Sequence, residues 1–162
     1  MKFSSAKLFA FLGTLLLSLL ITSLVHAHFK AKEMDRNNEL IKAAWEGNVE
    51  RMKMLVEAGA DVNFNRAAHP SCIPLTCAAG QGHLSAVQFL LNSNADLELT
   101  DDSHRTALMW AAENGHFDVA QLLVSKGANV NAIHFNDTAL RQAVMKRDSQ
   151  IIELLKQAGA KE

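Results

Sequence analysis

The chain has 162 residues, of which 49% are hydrophobic and 20% charged, and its formal net charge is −1. Lys2 and Lys7 are the charged residues of the first 27 positions, so the remainder is net acidic. That balance argues against a nucleic-acid-binding protein, which carries a dense basic patch. Two prolines and eight glycines argue against a collagen-like or disordered chain, and two cysteines are too few for a disulfide scaffold.

Residues 1–27 have the organisation of a secretory signal peptide. Two lysines precede an uncharged apolar run of 18 residues from Leu8 to Val25, and Val25-His26-Ala27 fits a signal-peptidase site. An uncleaved membrane anchor is the alternative, because such a run is at the lower edge of what spans a bilayer. Either interpretation places the rest of the chain across the membrane. Residues 28–36 are predicted to be a short polar linker.

The rest of the chain repeats itself. Four segments align at leucines separated by 35, 33 and 32 residues, and apolar residues recur between them at helical spacing. The aligned leucines are Leu40, Leu75, Leu108 and Leu140. A second landmark keeps the same spacing; it covers residues 59–63, 94–97, 127–131 and 159–160. Two landmarks that recur in phase predict a stack of helical hairpins.

These features resemble the ankyrin repeat, a β-turn and two antiparallel helices per unit of about 33 residues. The resemblance implies an all-α solenoid over residues 37–162, with repeats at about 37–69, 70–103, 104–136 and 137–162. Pro74 suits the first turn of a helix, and Thr106 and Thr138 can cap their helices. Gly59, Asn94 and Gly127 are predicted to take the left-handed conformation that ends a helix.

The sequence departs from the family pattern in three places. The Thr-Pro-Leu-His tetrapeptide is complete in no repeat, and Ile73 replaces the capping threonine of the second. The link between repeats one and two is longer than the next, so we expect the first finger turn to bulge. Repeat four is polar where the others are apolar, which predicts a capping repeat that closes a short array. Its polar residues are Arg141, Gln142, Lys146, Arg147 and Asp148.

No catalytic motif is present, so we expect no enzymatic activity, no cofactor and no metal site. Cys72 and Cys77 could form a local disulfide, but a loop this short favours two unpaired thiols.

Six histidines follow the leader. His83 and His116 match a structural position of the family. Three others fall one per finger turn, as solvated residues or as a rim that responds to pH or zinc. These are His69, His104 and His134.

The resemblance implies a monomeric, non-catalytic module that binds another protein through its finger turns and concave helix face. Because short exported proteins of this kind look bacterial, we expect a periplasmic or secreted location, with membrane anchoring as the alternative. A secreted effector or inhibitor, and a redox accessory protein using the two cysteines, are the alternative functions. The family's contact positions fall here on Trp45, Glu46, Arg66, His69, Gln81, Asp102, Ser103, Arg105, Glu113, Asn114, His134, Phe135, Met145 and Lys146.

Overall fold

The structure is a computed structural model that describes residues 5–65, 72–135 and 137–161, with side chains from residue 18 onward. Within these ranges it has eight helices and no strand, which confirms the predicted all-α solenoid. The helices are α1 (Ser5–Trp45), α2 (Val49–Glu57), α3 (Pro74–Gly80), α4 (Leu84–Asn92), α5 (Ala107–Glu113), α6 (Phe117–Ser125), α7 (Ala139–Lys146) and α8 (Ser149–Gln157).

The chain divides into two compact units, Met1–Asp35 and Arg36–Glu162. In the first unit the side chains of Leu20, Leu24 and Phe29 are 60–69% exposed. Among the residues that the structure describes, no helix is both long enough and apolar enough to cross a membrane. Residues 28–36 lie within α1, so the segment predicted to be a linker is helical. That segment contains no glycine or proline to interrupt a helix.

The second unit consists of two rows of helices. The C-terminal part of α1, with α3, α5 and α7, forms the inner row, and α2, α4, α6 and α8 form the outer row. Helix α5 packs much more densely against α3 and α7 than α6 packs against α4 and α8. The small alanines at 78–79 and 111–112 let the inner helices approach closely, and they are at most 1% exposed.

Local sequence explains where the inner helices begin. Pro74 is the first residue of α3, and the hydroxyls of Thr106 and Thr138 accept hydrogen bonds from the amides of Met109 and Arg141, at 3.3 and 3.1 Å. These predicted caps are confirmed. Ile73 has no side-chain oxygen, so α3 begins without such a cap.

The residue before each outer helix either caps that helix or forms a hydrogen bond to the preceding repeat. Asn48 and Asp148 cap α2 and α8 with their side-chain oxygens. His83 and His116 instead place Nε2 within 2.9 and 3.0 Å of main-chain oxygens at the ends of the preceding inner helices, those of Trp45 and Gly80. The two imidazoles therefore tie neighbouring repeats together, and their predicted structural role is confirmed.

Side-chain acceptors at the bases of the finger turns add a second set of ties between repeats. The Oδ1 atoms of Asn63 and Asn131, and Oε1 of Glu98, each accept a main-chain N–H from the next repeat at 2.8–2.9 Å. The Oδ1 atom of Asn37 accepts the Asp61 N–H at 2.9 Å within repeat one. The predicted left-handed residues are confirmed, with φ of 87° at Gly59, 64° at Asn94 and 91° at Gly127. The bulge predicted for the link from Phe64 to Ile73 stays a prediction, because residues 66–71 of that link lie outside the described residues.

Two expectations about individual side chains are wrong. Gln142, expected on the polar surface of a capping repeat, is 8% exposed and donates a hydrogen bond to the Asp137 carboxylate. Cys72 and Cys77, expected as unpaired thiols, form a disulfide with a Cα–Cα distance of 5.5 Å. Helix α3 begins only at Pro74, and extended backbone at Ile73 lets Cys72 fold back along the first turn, so the bridge closes.

Candidate functional site

One side-chain position recurs on the exposed side of the inner helices, five residues after each aligned leucine. We name Trp45, Gly80, Glu113 and Met145 the contact row. Trp45 and Met145 are exposed at 53% and 67%. A Cβ at Gly80 would lie 3.6 Å from Cβ of Trp110, so the glycine leaves a gap in the row beside that ring. The row thus has large apolar side chains at its ends and a notch between them.

The next position along the chain is polar in all four repeats. It holds Glu46, Gln81, Asn114 and Lys146, and all four residues are exposed. The Asn114 side chain also donates to the main-chain oxygen of Gly80 at 2.8 Å, which connects two inner helices. These residues surround the contact row with hydrogen-bonding groups of both charge signs.

The second finger turn packs against the end of α5. Arg105 forms an ion pair with Glu113 and lies 4.4 Å above the Trp110 ring centroid. The Trp110 indole N–H donates to Oδ2 of Asp101 at 2.6 Å, and Asp101 is 4% exposed. The side chains of Arg105 and Glu113 are only 14% and 27% exposed, so both serve first to hold the finger on α5. Contact with a partner at these two positions stays a prediction.

The tip of the second finger carries the exposed residues Asp102 and Ser103. In the third finger, His134 and Asp137 pair as an antiparallel bridge, with Phe135 in the tight turn between them at φ of 42°. Phe135 is 89% exposed, the largest value among the exposed large hydrophobic residues that the structure describes. A bulky residue is uncommon at positive φ. The closed turn therefore holds this ring out into solvent.

The histidines of the second and third fingers meet, and a response of these rings to pH or zinc stays a prediction. The rings of His104 and His134 stack with centroids 5.2 Å apart, and the His134 ring meets the edge of Phe135. Arg66 and His69 lie outside the described residues. Across the ranges that the structure describes, no group of three or more His, Cys, Asp or Glu residues is placed to hold a metal ion.

The sequence interpretation missed three residues of this face. Ile133 is 72% exposed and adds apolar surface beside Phe135. A large apolar residue in a finger turn is visible in the sequence and could have indicated this surface. Asp101 anchors Trp110, but an aspartate in a turn gives no sign of burial. Gly80 is the residue at which the contact row loses its side chain, visible once the four repeats are aligned.

Comparison with known proteins gives the family. The family model for ankyrin repeats (3 copies) matches residues 40–134 and 75–162. The chain is 34% identical over 83% of its length to the ankyrin repeat and KH domain-containing protein mask-1 of Caenorhabditis elegans, of which it covers 6%. It is 32% identical over 74% of its length to an ankyrin repeat-containing protein of Treponema pallidum, of which it covers 40%. A third relative, mouse ankyrin repeat domain-containing protein 63, is 38% identical over 45% of the chain, which covers 18% of that protein.

The chain belongs to the ankyrin repeat family. It spans less than half the length of these relatives. Ankyrin repeats indicate a protein–protein interaction module, and the family is generally non-catalytic. The described face agrees with protein binding, because it carries large exposed side chains.

Proposed function

We propose that this chain is an exported binding module that holds a partner protein against the contact row and the finger tips, without catalysis and as a monomer. The observation that carries the proposal is the placement of Trp45, Phe135 and Met145. Each is an apolar side chain more than half exposed, at an inner-helix end or a finger tip. Binding energy in protein interfaces concentrates on a few such large anchors.

The anchors are held on rigid supports, which favours binding because little order has to be created when the partner arrives. The main-chain oxygen of Trp45 is close to the His83 ring, and Phe135 lies in the closed turn between His134 and Asp137. Met145 is in the last turn of α7. The partner surface that fits them is apolar at its anchoring points and hydrogen-bonding between them.

The proposal is tested with a matched pair of methionines. Met145 and Met54 are equally exposed, at 67% and 68%, but Met145 is on an inner helix and Met54 is on the outer helix α2. The immobilised full chain captures proteins from an envelope extract, and the affinity for any captured protein is then measured. We expect Met145→Ala and Trp45→Ala each to weaken binding by about tenfold or more, and Met54→Ala to leave it unchanged.

Two results would contradict this assignment. Equal loss of affinity in Met54→Ala and Met145→Ala would mean that the outer helices bind. Unchanged affinity in Trp45→Ala and Met145→Ala, with circular dichroism showing both variants folded, would remove the inner face as the binding surface.

Export is supported by the leader pattern, and the Cys72–Cys77 disulfide agrees with it because disulfides persist in oxidising compartments. Fractionation with N-terminal sequencing tests export. A chain that begins at His28 and is retained in the periplasm fits a periplasmic module, whereas the same chain in the medium fits the secreted effector or inhibitor. Retention of residues 1–27 in the membrane fraction fits the anchor, and an uncleaved chain in the cytoplasm would refute export.

A further inference from the structure

The same two positions at the start of each inner helix are joined in repeats two, three and four, by a different interaction each time. These positions are the residue before the cap and the fourth residue of the helix. In α5 they hold Arg105 and Trp110, joined by the cation–π contact of 4.4 Å. In α7 they hold Asp137 and Gln142, joined by a side-chain hydrogen bond. A contact between these two positions fixes the angle at which the chain enters a helix.

In α3 the two positions hold Cys72 and Cys77, and the contact is the disulfide. This helix also needs its contact most, because the cap residue is Ile73. The Thr76 hydroxyl accepts from the Ile73 amide at 3.1 Å, so it serves the cap residue rather than the helix. The first main-chain bond of α3, from the Cys77 amide to the Ile73 oxygen at 3.0 Å, therefore lies inside the ring that the disulfide closes.

We propose that the Cys72–Cys77 disulfide is a redox-sensitive staple that orders the start of α3 and the end of the first finger turn. Oxidised, it does covalently what the Arg105–Trp110 pair does by stacking. Reduced, it leaves a seven-residue helix whose cap residue has no side-chain oxygen and whose two positions are no longer joined. The first turn then opens more often, while the other inner helices keep their own contacts.

The reduction is an ordinary thiol–disulfide exchange with a dithiol as reductant. Cys72 is half-buried and Cys77 is 2% exposed, so the dithiol thiolate attacks Sγ of Cys72 and the Cys77 thiolate leaves. The second thiol of the reductant then attacks the mixed disulfide and releases Cys72. Two electrons and two protons pass to the cysteines, and the dithiol becomes a cyclic disulfide.

The staple also bears on binding, and this part rests on the proposed function. Helix α3 carries Gly80 of the contact row, and Gln81 follows it. Frequent opening of α3 disturbs the middle of that row, so we expect reduction to weaken partner binding. The proposal therefore assigns the redox state of this bond as a regulator of the binding face.

The test is amide hydrogen exchange on the full chain, with and without dithiothreitol. Exchange of the Cys77 amide is expected to rise about tenfold on reduction, because local opening sets the exchange rate of a protected amide. The Trp110 amide is the internal control, since it makes the equivalent first bond of α5, to the Thr106 oxygen at 3.2 Å. A variant with Cys72→Val and Cys77→Val replaces the disulfide by an apolar contact. We expect its residue-77 amide to exchange slowly, at the same rate with and without dithiothreitol.

Equal exchange of the Cys77 amide in both redox states, or free thiols found by mass spectrometry in the untreated protein, would overturn the staple. A parallel rise at Trp110 would also overturn it, because the effect would then be global. Failure to capture a partner in either redox state would refute the proposed function and leave the exchange result to decide the staple. Equal affinity in both states would refute the regulation of binding.

Discussion

The imidazole ties between repeats can be tested by adding one methyl group. Gly82 and Gly115 occupy equivalent turns with φ of 75° and 74°, so alanine meets the same backbone penalty at both. At Gly82 the new Cβ would lie 2.6 Å from Nδ1 of His116, whereas at Gly115 the nearest atom is Oδ2 of Asp148 at an ordinary 3.6 Å. The two substitutions therefore differ in whether a ring must move.

The expected magnitudes follow from this difference. The left-handed conformation costs a non-glycine residue roughly 1–2 kcal/mol, partly offset by the lower entropy of the unfolded chain, so Gly115→Ala should cost about 1 kcal/mol of unfolding free energy. Gly82→Ala also displaces the His116 ring from the Gly80 oxygen, which adds about 1 kcal/mol for the lost bond and more for packing. We expect a total of about 2–3 kcal/mol.

Urea unfolding followed by circular dichroism measures both values. A double variant, Gly82→Ala with His116→Ala, supplies the control: removing the ring also removes the clash, so the two substitutions should cost less together than the sum of their separate costs. Equal destabilisation by Gly82→Ala and Gly115→Ala, or strict additivity in the double variant, would refute the assignment of His116 as a tie between repeats.

Two further predictions concern single side chains. Thr106→Ala should cost about 1 kcal/mol of unfolding free energy, because it removes the cap of α5. Asn38 is at the equivalent position but lies within helix α1. Asn38→Ala should cost little, because the buried Oδ1 of Asn38 has no hydrogen-bond partner. Urea unfolding that ranks Asn38→Ala as the more harmful would contradict this. The hydrogen bond from Arg51 lowers the pKa of Glu39 in the folded chain, so its stabilising effect is present above the unfolded pKa and lost as pH falls through the folded one. Glu39→Gln should therefore lower the unfolding free energy at neutral pH and leave it unchanged in acid. A loss of stability that is larger in acid than at neutral pH would contradict the lowered pKa of Glu39.

The repeat register could be predicted from the sequence because each landmark has a local physical cause. Pro74 at the first position of α3, the hydroxyl caps at Thr106 and Thr138, and the left-handed residues at helix ends are fixed by interactions within a few residues. Burial of the alanine pairs follows from the same register, since one helix face must meet the next repeat.

The face proposed for binding was harder to predict, because its state depends on contacts between turns and helices. Nothing in the residue type of Arg105 indicates that it is partly buried. It lies over the Trp110 ring, and that ring is held in place by the hydrogen bond from its indole N–H to Asp101. The disulfide was missed for a similar reason. The sequence places Cys72 in the turn and Cys77 in the following helix, but it does not show that the chain before Pro74 brings the two sulfur atoms together.

His116 and Asp148 occupy equivalent positions before their outer helices but make different hydrogen bonds, so the boundaries between repeats are not alike. At the first two of the three boundaries between repeats, an imidazole reaches back to the repeat before it. At the third, the Asp148 carboxylate instead accepts from the amides of Gln150 and Ile151 in its own helix. An ionised carboxylate accepts and cannot donate, so it offers nothing to the carbonyl at the end of α5. The hairpin of α7 and α8 thus lacks the imidazole tie that joins the earlier repeats, and we expect limited proteolysis to cleave it before the other hairpins.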